Sequence, residues 1–415
     1  MPVSTDSSST SGKKIIYDNQ DYETNIGMVQ LYPNGSSPQS SIEYPTIALA
    51  NQSGMRLEFD LLQKNADYVN VRMIHCTSDW KESNLNDIQF LKEYNEFAVN
   101  EYDFSQNTRT QYVKYGVNLP TPIKSGNYLL IANRDSDQSD LLFTRRFLVY
   151  DNRARIQSSI RSSNIVSKRE LNQQIEFGIY FEGIENINPL NDIKVVILQN
   201  HNWNTMIDDL KPTRIRQDEG FMEYQHFNSE NNFPAWNEFR FFDIRSTEFR
   251  GRNVSNIRME DSRVQAFLGL DRSRNNLAYS QQLNDDLNGG YYLQNTDPND
   301  SQLESEYIET HFELNSERVD GEVYIVGRYN NWQLAEANKM VYDQALGGYK
   351  GRLLLKQGYY DYMYWTDAPD LPVTYMEGSH YQTINDYEIL VYFRSPFNNY
   401  EELVGYQLTS SRNQF

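Results

Sequence analysis

Apolar and polar residues alternate along much of the chain. Leu57, Phe59 and Leu61 are interleaved with Arg56, Glu58 and Asp60; Ile175, Phe177, Ile179 and Phe181 with Gln174, Glu176, Gly178 and Tyr180; Phe312 and Leu314 with His311 and Glu313. A period of two with one polar face predicts strands buried on one side. Continuous apolar runs such as Val195-Val196-Ile197-Leu198 also have strand length. Helical periodicity is scarce: Leu85, Ile88 and Leu91, behind a cap at Ser83, predict one short helix within 83–97. Turn signals at Pro33-Asn34-Gly35, Ser125-Gly126-Asn127, Asn288-Gly289-Gly290 and Gly347-Gly348 separate the runs. Many short strands between frequent turns predict an all-β chain of sandwiches rather than a parallel sheet.

At 415 residues the chain exceeds one sandwich core. Domains of roughly 100–200 residues give two to four units. A boundary is expected after the strand 146–150, at Asp151-Asn152. A second is expected in the Asp/Asn-rich stretch 295–305 containing Pro298. The organisation read from this is a flexible segment 1–14, a sandwich at 15–150, a second at 151–297 and a C-terminal one at 304–410. The 31 tyrosines and 20 phenylalanines agree, since aromatic rings suit half-buried pleated surfaces.

The net charge of −19 repels nucleic acid and anionic lipid. The basic clusters are short (Lys13-Lys14, Arg145-Arg146, and Arg245 with Arg250 and Arg252) and read as solvated strand ends, so nucleic acid is not expected as a partner. No run approaches the ~18 apolar residues of a spanning helix, so direct membrane insertion is not expected. The first residues, Met1-Pro2-Val3 and a Ser/Thr run to Gly12, carry neither a charged region nor an apolar core of an export signal. The lone Cys76 excludes an internal disulfide and reads as a buried thiol in the strand 72–76. His75 beside it points to the opposite face, so the two form no catalytic pair.

Chemistry-bearing patterns are few. His75, His201, His226, His311 and His380 show no ligand spacing, and neither His-Glu-x-x-His nor Gly-x-Ser-x-Gly nor a phosphate loop occurs. Asp297, Asn299 and Ser301 start like a calcium loop, but Gln302 replaces its glycine and Ile308 its glutamate. Nothing among the 57 acidic residues singles out a glycosidase pair. No catalytic residue, metal site or cofactor is expected, and the chain reads as non-enzymatic. Aromatic residues carry the stronger signal. Phe233 and Trp236 flank Pro234, Trp203 follows the strand 193–198, and Trp80 follows 72–76. Such rings either cap sandwich cores or serve as exposed anchors for a partner. Phe233, Trp236 and Trp203 are therefore the candidate partner contacts.

Several segments together resemble the type IX secretion system plug protein family of Bacteroidetes. They are Val29–Gly35 (VQLYPNG), Ile74-His75-Cys76 with Asp79-Trp80, Ser125–Leu129 (SGNYL), Thr144–Phe147 (TRRF), and Asp192–Asn200 (DIKVVILQN) with Trp203. Further on come Phe233-Pro234 with Asn237–Ser246 (NEFRFFDIRS), Asn288-Gly289, Leu354–Tyr360 (LLKQGYY) and Glu377–Arg394 (EGSHYQTINDYEILVYFR). Their order holds over roughly residues 15–405. The resemblance implies tandem immunoglobulin-like or early-set sandwiches and a periplasmic location at the inner face of the outer membrane. It further implies a plug that closes the periplasmic opening of the giant barrel SprA, in alternation with the shuttle protein PorV. The family's export signal is missing from the start of this sequence, which the resemblance attributes to processing.

A narrower resemblance concerns the C-terminal region. Gly321–Trp332 (GEVYIVGRYNNW) and Gln357–Tyr364 (QGYYDYMY) look like two strands of the early-set sandwiches that bind glycogen and starch. In those modules a Trp after Asn-Asn stacks on sugar, which here is Trp332. Met363 stands where their lysine is, and no second Trp follows Trp365. The resemblance implies a scaffold whose sugar platform is reduced to one ring. A carbohydrate-binding envelope protein is the alternative function it raises.

Overall fold

The computed structural model describes residues 13–35, 38–181, 184, 188–280, 286–297, 301–395, 397–398 and 400–413. The expected N-terminal segment 1–14 therefore lies outside the described residues except for Lys13 and Lys14, and so does Asn299. The regular structure of the described residues is almost all strand, paired mainly antiparallel. Its organisation as tandem sandwiches follows from the alternation seen in the sequence: Met55–Leu61 buries Leu57, Phe59 and Leu61 fully.

In the first sandwich, one sheet runs Gln20–Asp21, Leu141–Tyr150, Gly126–Arg134, Val69–Cys76, Phe97–Ala98, with Thr46–Ala48 parallel to Leu141–Tyr150. The other runs Ile26–Pro33, Met55–Leu61, Val113–Leu119, Glu101–Phe104. Phe59, Tyr115, Tyr128 and Phe143 fill the core between them.

Strand pairing crosses the boundaries expected further on. One sheet of the middle sandwich is built on Arg155–Ser162, Asn172–Tyr180, Phe221–Tyr224 and Arg214–Arg216. The opposing sheet takes Asn202–Ile207 and Ile193–Gln199 from the same region, but its other strands are Asp386–Phe393 and Glu402–Ser410. Conversely, Arg240–Asp243 and Tyr291–Leu293 pair with Gly358–Thr366, and Val264–Leu268 runs parallel to Tyr307–Asn315. The spans 151–297 and 304–410 are thus not separate pairing units. We propose instead a first unit at 15–150, a middle unit of 151–235 with 386–410, and a third unit at about 240–378 held between the two parts of the middle one. The physical reason is that Val195 and Ile197 need a neighbour to close their core, and Ile389 and Val391 supply it.

The expected helix shrinks to Asp87–Phe90. Asn86, rather than Ser83, opens it, its N–H donating to Gln89 Oε1 at 2.8 Å. It stops because the chain must return to the sheet: Asn95 bonds both backbone groups of Met73, and Phe97 pairs with Val71. Ile88 stays 85% exposed, so the three-residue spacing marked no buried helical face. Ser83 instead bonds His75 Nδ1 at 2.8 Å. His75 and Cys76 are both buried but join different clusters; burial lowers the imidazole to about 4 and pushes the thiol up to about 12.

Candidate functional site

One outer face of the first sandwich and one of the middle sandwich are not free. Leu129, Ile131 and Leu148 of the first sandwich meet Val196, Leu198, Leu390 and Tyr392 of the middle one in a single apolar cluster. Strands such as Gly126–Arg134 are buried on both faces as a result. Trp80 and Trp203 close the end of this seam edge to face at 5.0 Å. The Arg146 guanidinium lies 4.4 Å from the Trp80 ring and 5.7 Å from Trp203. The Arg146 cation lies over a ring from each unit and so ties the two together, with the half-exposed Asp18 3.0 Å away.

The seam between the first and third units joins apolar packing by Met28 and Tyr112 to buried polar contacts. Asp60, buried in the first sandwich, accepts from Tyr307 Oη and Lys356 Nζ, each at 2.7 Å. Tyr307 Oη in turn accepts from the Met28 N–H at 2.9 Å. The Lys356 ammonium also sits 4.0 Å from the Tyr112 ring, and burial depresses its pKa against the pull of Asp60. Glu306 accepts the N–H groups of Arg109 and Thr110 at 2.8 and 3.0 Å. Arg328 reaches across to the Ile42 carbonyl at 2.6 Å and covers Tyr44 at 4.5 Å.

Aromatic residues fill the seam between the middle and third units. Trp332 and Asn331 both adopt positive φ, 60° and 54°, so the Asn-Asn-Trp turn projects the indole sideways. The ring lands on Gly289 and Phe239, and a Cβ at Gly289 (φ 76°) would drive into it. Its carbonyl accepts from Asn204 of the middle unit at 2.7 Å. Trp236 packs 5.1 Å from Trp365, and together with Tyr324, Val326 and Met363 these rings form a closed cluster. The rings of Trp365 and Trp332 are thus packed against the chain's own Trp236 and Phe239.

These positions correct the expected contact residues. Phe233 is 1% exposed and packs on Tyr387 in the middle core. Trp236 and Trp332 are each 3% exposed. None of the three presents a face to a partner or a sugar in this conformation, because an anchor must be solvent-exposed before it binds. Trp203 alone remains half-buried, at the end of a seam. The sequence reading missed the groove where all three units meet. It holds ≈ 700 Å³ and is lined by Tyr44, Tyr150, Tyr406, Asp386 and Arg328, with Tyr150 and Tyr406 stacked at 4.8 Å. Their separation in sequence gives no local signal; only the pairing of the last strands with the middle unit brings them together.

Among the described residues no group of His, Cys, Asp or Glu is arranged to hold a metal, and no helix is long and apolar enough to cross a membrane. The arrangement is that of a braced body whose seams hold the Trp80–Trp203 pair and the buried Asp60–Lys356 ion pair.

Residues 26–151, the first sandwich, match the family described as the type 9 secretion system plug protein first domain. No curated protein matches the chain. Among solved structures, a hypothetical protein from Parabacteroides merdae ATCC 43184 is 27% identical and superposes with a TM-score of 0.88. The alignment covers 96% of this chain and 100% of that one, so the fold is shared over nearly all of this chain. The first sandwich of this chain is thus similar to the first domain of type IX secretion system plug proteins.

Proposed function

We propose that this protein closes the periplasmic opening of the outer-membrane barrel SprA, blocking the pore by its bulk and making or breaking no bond. The observation that carries the proposal is the match of residues 26–151 to the plug first domain. Involvement in type IX secretion follows from the family; the barrel, the alternation with PorV and the periplasmic site are our reading. The seams support it. A stopper must resist deformation, and strands buried on both faces, with Arg146 and Asp60 bridging units, brace the body against bending. A specific complex of this kind buries roughly 1,200–2,000 Å² in total. With a net charge of −19, docking is fastest where the barrel's rim is less acidic, and it slows with added salt.

Purification of the tagged chain from native envelopes tests the partner: a very large β-barrel should accompany it. Recording from the isolated barrel tests the action, since conductance should fall when the chain is added. A barrel equally shut with and without the chain would end the proposal.

A further inference from the structure

The strand Glu101–Phe104 is the outer edge of its sheet, paired only with Val113–Leu119, and all four of its residues are exposed. Its register settles which backbone groups are free. The Ser105 N–H donates to the Tyr112 carbonyl at 2.9 Å, which makes 105 and 112 a hydrogen-bonded pair. Such pairs recur every second residue in an antiparallel ladder, so Asp103 and Glu101 also point inward. Tyr102 and Phe104 therefore turn their N–H and C=O groups away from the sheet.

The side chains sort by face. Tyr102 lies 5.9 Å from Tyr115 of the first core, and Phe104 meets Tyr102 edge to face at 5.9 Å. Both rings thus lie on the inner face, where the opposing sheet ends in the two-residue strand Phe97–Ala98. They remain 47% and 49% exposed. Glu101 and Asp103 occupy the other face. Glu101 is held by Arg56, and Asp103 has no ion-pair or hydrogen-bond partner among the described residues.

Three other edges of the molecule are guarded. Arg214–Arg216 carries two arginines and Val254–Met259 carries Arg258. Ile26–Pro33 ends in a proline and lies against Tyr307 of the third unit. Soluble proteins protect open edges with cations, prolines or a covering segment. Glu101–Phe104 has none of these: two aromatic rings and two acids flank its open backbone.

We propose that Glu101–Phe104 accepts an added strand from a partner protein, an extended segment in which apolar and basic side chains alternate. Its apolar residues continue the inner face over Tyr102 and Phe104, and its basic residues meet Glu101 and Asp103. Charge selects the partner. A second copy of this strand would set its own acids against Glu101 and Asp103 or against the rings. The overall charge of −19 likewise favours a cationic segment. The surface stands independently of the SprA reading, and its test needs no translocon.

The test is amide exchange on the full chain, with tyrosine and phenylalanine amides labelled selectively. The probe is a synthetic hexapeptide of alternating lysine and valine, with a glutamate–valine hexapeptide as control. In the free protein the amides of Tyr102 and Phe104 exchange fast. With saturating lysine–valine peptide they slow by about tenfold or more, as for newly formed ladder bonds, while the glutamate–valine peptide leaves them unchanged. Asp103→Lys, which changes a side chain that makes no ion pair or hydrogen bond among the described residues while the backbone stays paired opposite Lys114, shifts the preference toward the acidic peptide. Protection that is absent, or equal for both peptides, or confined to other amides overturns the proposal. So does protection that grows with protein concentration alone, which would make the occupant a second copy.

Discussion

Two buried carboxylates near one another in the third unit illustrate how differently the same burial can act. Glu377 is fully buried and ringed by donors: Arg240 Nε at 2.9 and 3.0 Å, Arg274 Nη2 at 2.5 Å and the Tyr364 N–H at 2.9 Å. Burial works to raise its pKa, but the two guanidinium groups overcome this and hold it at about 2. Glu238 is 5% exposed, yet Arg274 reaches only its backbone carbonyl, at 2.8 Å. Its carboxylate faces Asp286 and receives the Tyr279 hydroxyl at 2.6 Å and the Ile384 N–H at 3.4 Å. Burial and the neighbouring acid raise it to about 7, against the pull of Tyr279. Asp286 and Asp361 are raised alongside it, both chiefly by burial. Exclusion of water is common to both sites; the placement of guanidinium decides the sign.

The comparison can be broken most directly at Arg240. Arg240→Met leaves Glu377 buried with one cation fewer, and we expect a loss of about 3–5 kcal/mol in urea unfolding. A loss below about 1 kcal/mol would mean that Arg274 alone neutralises the site. The acid limb comes next. Because Glu377 titrates lower in the folded chain than its ordinary 4.5, its stabilisation is complete above pH 4.5 and is lost as pH falls toward 2. The drop attributable to this group is about 3 kcal/mol, and Glu377→Gln should flatten that limb. Glu238 has the opposite sign. Its folded pKa lies above 4.5, so its contribution is present at pH 4.5 and is lost as pH rises through about 7. Glu238→Gln should therefore gain about 1–2 kcal/mol at pH 8 and change little at pH 5, after allowance for partial solvent screening. The smallest effect is expected for Tyr279→Phe. Losing one hydroxyl donor costs roughly 1 kcal/mol at pH 8 and less at pH 5, where Glu238 is protonated. An equal cost at both pH values would show that the hydroxyl matters for packing rather than for the charged carboxylate.

Alternation in the sequence made the sandwich class legible, because each strand's polar face reports a buried opposite face. The end of one strand was legible, since Leu141–Tyr150 stops where Asp151-Asn152 breaks the pattern. The division of the remainder was hidden. Nothing in Ile193–Gln199 announces that its neighbour is Asp386–Phe393, since both are continuous apolar runs that fit any buried sheet position. The Asp/Asn-rich stretch at 295–305 imitated a linker, yet Asp297 there accepts from Thr247, and Tyr112 of the first unit donates to Ser305. The aromatic candidates failed for a related reason. A tryptophan after a strand marks a place where a large ring is needed, but not whether water or another sandwich covers it. Trp332, expected as a sugar-stacking ring, is instead buried against Gly289 of its own unit. Edge exposure was legible only in part: Tyr102 and Phe104 alternate with Glu101 and Asp103, but their outward backbone follows from a register that spans the turn to Tyr112.

The pairing of Ile193 with Phe393 has a consequence for the order in which the molecule assembles. These partners stand 200 positions apart (393 − 193), and the entire third unit lies between them. The first unit has its strands early and can condense as soon as they are made. The sheet containing Ile193 must wait, its apolar edge open, until Glu402–Ser410 arrives. Long-range closure of this kind is slow and leaves a sticky intermediate. Removal of the final hairpin should thus leave a chain with one finished end and a permanently unzipped centre, prone to capture by chaperones.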